Sequence, residues 1–343
     1  MKDKQTFRMR KAYFGIFLLV SSCCSVLAQD TAGFKPSGSP ILVLFSDYTA
    51  GLGENKEATG FNLTRARMGY QYQATPSLSF TGALDMNSNG DRRTINFHYA
   101  FLEWKYQNLA IDAGLIALAQ FSQQEAFWGR RYIEKSFQDL NGLALDSDIG
   151  LMLKYRFTDW LEIDAAVFNG EGDLQLNASK TNRYGLGATI RPFKGLMLRA
   201  YLDTYDNYGY VPPADMSFTS TKNQSSMAFF AGYRHDKFSF GAEYNRQTAK
   251  MFISGVNYSG VSVYSSVSLT KKFEWFARYD YVDTEGTADL DTYWSAIVNK
   301  TLLISGFEYH PIKYIQLSPN YRYEKSVLGN DAHFICLNLG FSL

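Results

Sequence analysis

The chain has 343 residues, 46% of them hydrophobic and 20% charged, and its 34 Lys and Arg nearly balance 33 Asp and Glu. With a mean hydropathy of -0.23, it holds no apolar run near the ~20 residues of a membrane-spanning helix, so a polytopic helical membrane protein is excluded. The near-zero charge speaks against a nucleic-acid partner. Aromatic residues reach 16% while Pro occurs only 8 times, a bias that suits long hydrogen-bonded strands.

In chain order, the first element is an export signal. Lys2, Lys4, Arg8, Arg10 and Lys11 precede an apolar stretch from Ala12 to Val20, and Val26-Leu27-Ala28 precedes Gln29. This is the basic, apolar and cleavage pattern of a secretory signal peptide over residues 1–28. Val20-Ser21-Ser22-Cys23 is a poor lipobox, so the rival reading, a lipidated start, is disfavoured. Cleavage after Ala28 removes Cys23 and Cys24 and leaves Cys336 as a lone thiol. Internal disulfides then contribute nothing, and stability must come from backbone pairing and packing. Residues 29–39 are expected as an N-terminal extension and 40–343 as one β-domain.

From Ile41 to Leu343 the residues alternate with period two outside one long loop. Leu78, Phe80, Gly82, Leu84 and Met86 share one face and Ser79, Thr81, Ala83 and Asp85 the other. Leu196, Leu198, Ala200 and Leu202 likewise oppose Met197, Arg199, Tyr201 and Asp203. Such two-faced ribbons are strands. The spacing predicts sixteen: 40–49, 60–73, 78–87, 94–106, 109–117, 147–157, 160–169, 183–192, 195–205, 225–235, 238–247, 259–270, 273–283, 300–310, 313–325 and 332–343. Tight turns such as Gln107-Asn108 and Lys271-Lys272 follow the even strands, and mostly longer polar loops follow the odd ones. An even strand count, short turns on one rim and long loops on the other predict an all-β fold, a transmembrane antiparallel β-barrel.

A soluble sandwich also alternates, so the placement of aromatic residues is decisive. Trp104, Tyr106, Phe157, Trp160, Phe193, Phe238, Phe273, Trp275 and Tyr314 all lie beside the tight turns. Amphipathic rings favour the headgroup level of a bilayer, and a sandwich core gives no reason for them to gather at one rim. The last strand alternates His333, Ile335, Leu337, Leu339, Phe341 and Leu343 against Phe334, Cys336, Asn338, Gly340 and Ser342. A set of charged residues shares the polar parity: Arg65, Arg67, Lys154, Arg156, Arg199 and Arg278 on one side of the balance, Asp85, Glu103, Asp112, Asp164 and Asp203 on the other. On the opposite face a mid-membrane Arg or Lys would cost ~2–4 kcal/mol.

Phe61-Asn62-Leu63-Thr64-Arg65-Ala66-Arg67-Met68-Gly69-Tyr70, followed by a strand carrying Asp85, resembles the early hairpin of the phosphate-selective porin O and P family. Ala100-Phe101-Leu102-Glu103-Trp104-Lys105-Tyr106, Arg131-Tyr132-Ile133-Glu134-Lys135-Ser136-Phe137, Ala166-Val167-Phe168-Asn169-Gly170 and Ile190-Arg191-Pro192-Phe193 extend the likeness in order. Many barrels end in Phe itself; here Phe341 stands two residues from the end. The resemblance implies a sixteen-stranded homotrimeric diffusion channel in the bacterial outer membrane, surrounded by lipid and passing small hydrophilic solutes or anions. It also implies that a loop after the fifth strand, Gln120 to Asn141, folds inward and narrows the lumen through Arg130, Arg131, Glu134 and Lys135.

Arg65, Arg67, Asp85, Lys154, Arg156, Arg199 and Arg278 are the pore-lining candidates. Asp85 stands on the strand next to both Arg65 and Arg67 and could pair with either, which would blunt their pull on anions. Mixed signs on a barrel wall limit any selectivity, and the loops carry no dense lysine cluster for phosphate capture. Four histidines, with no nucleophile-His-acid order, metal spacing or Gly-rich phosphate loop, give no catalytic residue, cofactor or metal assignment. His235 and His310 are expected in turns. A porin is the leading reading; the alternative is a barrel without significant conductance that serves a structural or partner-binding role.

Overall fold

The computed structural model describes residues 33–89, 92–174, 181–211, 220–285, 300–326 and 331–343. The expected signal peptide and parts of the loops at 171–182 and 206–224 lie outside the described residues. Sixteen strands run β1 (Ser37–Gly51), β2 (Gly60–Gln73), β3 (Leu78–Asn89), β4 (Arg92–Tyr106), β5 (Leu109–Ala117), β6 (Ser147–Arg156), β7 (Leu161–Phe168) and β8 (Arg183–Ile190). They continue as β9 (Leu196–Tyr205), β10 (Gln224–Arg234), β11 (Phe238–Thr248), β12 (Asn257–Ser268), β13 (Phe273–Glu285), β14 (Lys300–Ile312), β15 (Ile315–Ser326) and β16 (Ala332–Ser342). Each strand pairs with its sequence neighbour and β16 closes on β1, giving a barrel with no free edge. Every ladder is antiparallel, with Leu44 opposite Phe341 at the seam.

All sixteen predicted strands are present. β1 begins earlier than the alternation suggests: Ser37 to Ser39, assigned to the N-terminal extension, pair with Gln73, Tyr72 and Gln71. Ser37-Gly38-Ser39-Pro40 carries no apolar alternation, because at the rim neither face needs to be apolar. His310, expected in a turn, lies in β14.

The apolar parity faces outward. Leu186, Leu202, Phe229, Phe240, Phe307 and Leu337 are all exposed, an arrangement that water would penalise and lipid rewards. Ten residues at ~3.3 Å each, tilted by ~40°, cover about 25 Å, which matches the apolar band of an outer-membrane barrel. At the short-turn rim Tyr106, Phe157, Trp160, Phe193, Phe238 and Phe273 are exposed as the girdle reading requires. Several of the rings there pair, Trp104 with Tyr106 at 5.9 Å and Phe273 with Tyr309 at 4.6 Å. Arg246 stands on the outward parity, but only two residues before β11 ends at the long-loop rim. At that depth a snorkelling guanidinium costs about 0–1 kcal/mol.

Among the described residues the register shifts at three places, between Phe45 and Ser46 on β1, between Ala83 and Leu84 against β4, and between Tyr309 and Ile312 on β14. In the second, Ala83 pairs with Tyr99 and Leu84 with Phe97, so His98 is the extra residue. One extra residue returns the next side chain to the same face, and both His98 and Tyr99 consequently turn away from the outer surface.

Candidate permeation site

The stretch between β5 and β6, residues 118–146, carries helix α1 (Ala119–Trp128) and the short helix α2 (Phe137–Leu140). The Leu118 amide donates to the Asp146 carbonyl at 3.0 Å, which closes the neck of this segment. Gly129, with φ 69, ends α1 in the left-handed conformation, and its amide caps on the Glu125 carbonyl at 2.9 Å. The chain then reverses through Arg130 and Arg131.

The segment packs against the inner side chains of β9 to β16. Phe127, Trp128, Tyr132 and Ile133 share one cluster with Phe230, Tyr264, Phe276, Leu302 and Ile304. A lid lying over the outer rim would leave these rings in water; Trp128 is 2% exposed. Three wall glycines make room for the rings: a Cβ on Gly232 would come within 2.5 Å of Phe127, on Gly260 within 2.6 Å of Phe137, and on Gly340 within 2.8 Å of Tyr132.

Polar contacts fasten the same face. Arg234 donates to the Phe127 carbonyl at 2.8 Å, Arg322 to the Ile133 carbonyl at 2.9 Å, and Arg278 to the Lys135 carbonyl at 2.6 Å. The Tyr132 hydroxyl donates to Glu308 at 2.8 Å. Burial, with the Glu308 charge adding to it, pushes the Tyr132 phenol up. Burial alone would raise the Glu134 carboxyl as well, but Arg322, Arg278 and the Lys135 amide outweigh it and hold it below the usual range.

These contacts sort the sequence candidates. Arg199 and Arg278 face inward, but each side chain is only 1% exposed. Arg199 grips Asp164 through two bonds at 2.6 and 3.0 Å and also donates to Thr189 at 2.8 Å and to Gln120 of α1 at 3.2 Å. Arg278 pairs with Asp280 at 2.5 Å under the Trp128 ring. Neither lines open water, because the segment covers them; they anchor it instead. Arg130 is likewise turned into the wall, at 2.8 Å from Glu274 and 3.4 Å from Glu308. Glu134 is taken by Arg322 at 2.6 Å.

The opposite wall, β2 to β8, is left facing the other side of the segment. Arg65 and Arg67 converge on Asp85 at 3.0 and 2.8 Å, as expected from Arg67 standing directly across the ladder from Asp85. Lys154 sits between Asp112 at 2.8 Å and Glu103 at 3.2 Å. On the segment, Arg131 pairs with Asp139 at 2.6 Å and Glu125 at 3.3 Å, and Lys135, half exposed, lies 3.4 Å from Asp139. Arg156 is exposed and makes no ion pair among the described residues.

Two adjoining cavities follow this wall at the short-turn mouth. One of 420 Å³ is lined by Glu103, Lys105, Gln123, Lys154, Arg156 and Glu162. The next, of 260 Å³, shares Gln123, Arg156 and Glu162 and adds Arg191, which donates to Gln123 at 2.9 Å. At the long-loop end a 630 Å³ cavity is lined by Arg183, Tyr205, Tyr210, Lys250 and Phe252 among others. Lys250 donates to the Gly142 carbonyl of the segment, and burial, reinforced by Arg183, lowers its ammonium to about 7.

Sequence reasoning missed the inner apolar stripe of Phe230, Phe276, Leu302 and Ile304. The signal is present: Phe229-Phe230, Trp275-Phe276 and Leu302-Leu303-Ile304 are apolar on both parities, as a strand covered on both faces should be. Arg191 lies on the polar parity and in the Ile190-Arg191-Pro192-Phe193 motif but was not singled out for permeation, and nothing local distinguishes Lys250 from other rim cations.

A sixteen-stranded barrel with an apolar exterior, a charged interior and a segment packed along one inner wall has the architecture of an outer-membrane porin. No family model matches the chain, and no curated protein does. Solved structures match it over nearly their whole length. The outer membrane channel DcaP of Acinetobacter baumannii superposes with a TM-score of 0.66 at 11% identity, over 92% of this chain and 99% of that one. An anion-selective porin from Comamonas acidovorans gives 0.66 at 9% identity, over 90% and 100%. OmpT, an outer membrane protein of Vibrio cholerae in trimer form, gives 0.60 at 13% identity, over 90% and 100%. At these identities the likeness is one of fold.

Proposed function

We propose that this protein is a bacterial outer-membrane porin, a water-filled channel for passive diffusion of small hydrophilic solutes and ions. The observation that carries this reading is the asymmetry of the interior. The segment after β5 is fastened to β9–β16, while charged residues and connected cavities run along β2–β8 at the short-turn mouth. A barrel filled only for structural reasons has no need to keep Arg156 and Lys105 exposed beside such space. The segment acts as the constriction.

The selectivity we propose is modest and anionic. Lys154 is neutralised by Asp112 and Glu103, while Arg65 and Arg67 share the single carboxylate of Asp85, so the excess comes from that pair together with Arg156 and Arg191. The anion-selective neighbour and the motif resemblance to phosphate-selective porins O and P support the sign of this preference. No cluster of free lysines on the described residues supports specific phosphate capture. The trimer form of the Vibrio cholerae neighbour supports a homotrimer in the outer membrane, reached through the N-terminal export signal.

Liposome swelling tests the channel. Proteoliposomes are expected to swell in isotonic pentose or hexose and far less in a trisaccharide. Swelling equal to that of protein-free liposomes for every solute would favour the non-conducting barrel.

A further inference from the structure

The β4 bulge turns His98 into a cluster that the channel reading leaves unused. Its ring is 3% exposed. Nδ1 lies 3.0 Å from Asp173 Oδ2 in the β7–β8 connection, and Nε2 lies 3.3 Å from Asp146 Oδ2 at the neck of the inner segment. The two contacts differ: the first is a hydrogen bond, while Nε2 has no hydrogen-bond partner despite its burial.

An imidazole whose Nδ1–H donates to one carboxylate presents Nε2 as a lone pair. Here that lone pair lies 3.3 Å from Asp146 Oδ2, a repulsive contact unless a cation is held beside the two. Carboxylate-oriented histidines are how proteins hold imidazole ligands toward metal ions. The spacing fits too, because two ligands each ~2.0 Å from a tetrahedral ion lie ~3.3 Å apart. Two carboxylates thus flank one imidazole.

We propose that His98 Nε2 and Asp146 are ligands of a divalent transition-metal site, with Asp173 orienting the ring or joining the shell and water completing it. The ligand-bearing atoms of the three residues lie within 4.8 Å of one another. An imidazole nitrogen with carboxylates selects Zn²⁺ or a similar borderline cation over Mg²⁺, which requires an oxygen octahedron. The ion ties β4 and the β7–β8 connection to the neck that Leu118 and Asp146 close, and so braces the segment where it enters the lumen. A second grouping, Glu274, Glu308 and His310, is a poor competitor because the Arg130 guanidinium already lies against both carboxylates.

Calorimetric titration of the purified, chelator-treated, folded protein with Zn²⁺ tests the site. One saturable site per chain is expected, lost in His98→Gln and in Asp146→Asn, weakened roughly 10- to 100-fold in Asp173→Asn and unchanged in His310→Gln. Heat-dependent gel mobility reports that each variant is still a folded barrel, and the two ligand substitutions lie on separate elements, so misfolding of one leaves the other to decide. Saturable binding that survives both ligand substitutions, or that disappears in His310→Gln, overturns the proposal. No saturable binding by the unsubstituted protein also overturns it.

Discussion

The charged residues of the interior divide by what faces them rather than by sign. Arg199 and Arg278 are out of water because a carboxylate and a segment contact meet each guanidinium. Removing one partner of such a buried pair strands the other, typically at ~3–5 kcal/mol, so these residues serve folding and docking first. Parity places a charge on the inner face, but it says nothing of partners contributed by residues a hundred positions away, which is why seven wall candidates looked equivalent in the sequence. Lys250 illustrates a second effect of burial. Its ammonium titrates at about 7, so it is charged below that pH, where it adds to anion attraction at the long-loop mouth, and neutral above. In a salt gradient the reversal potential is expected to move toward cation preference as pH rises through about 7. Lys250→Gln should remove this shift; a shift that persists unchanged in that variant assigns it to other groups.

Among the elements, the segment after β5 owes its position to complementarity on one inner wall. Aromatic rings of the segment meet glycines on β10, β12 and β16 and an apolar stripe on β13 and β14. Trp128 is central, since its ring contacts Tyr264 and Phe276 and its indole N–H donates to the Glu134 carbonyl at 2.9 Å. Trp128→Ala, at ~3–5 kcal/mol for a buried Trp, is expected to release the segment while the barrel stays folded. Trypsin should then cut at Arg130, Arg131 or Lys135, sites it spares in the unsubstituted protein; equal resistance in both would show that Trp128 does not hold the segment. The strands themselves were legible because lipid outside and water inside impose a strict two-residue period, readable at Leu196 to Asp203 without any tertiary knowledge. The docking wall was not, because Leu302 and Ile304 look like lipid-facing residues until the segment that covers them is placed. The inward turn of His98 was not legible for a related reason: the bulge that causes it comes from a one-residue register shift between β3 and β4, and neither strand shows that shift by itself.

At the scale of the whole molecule, the ordinary hydrophobic fraction and near-zero charge are the averages of two opposite surfaces. The outside is apolar with an aromatic girdle, and the inside is charged but largely self-neutralised, so any selectivity comes from the few uncompensated cations. Planar-bilayer recording of the folded protein tests the central claim most directly. Discrete, ohmic single-channel steps are predicted, with a reversal potential weakly favouring anions that moves toward cations in the Arg156→Ala, Arg191→Ala double variant while the steps persist. A folded, heat-modifiable barrel that inserts and yields no conductance steps would contradict the account.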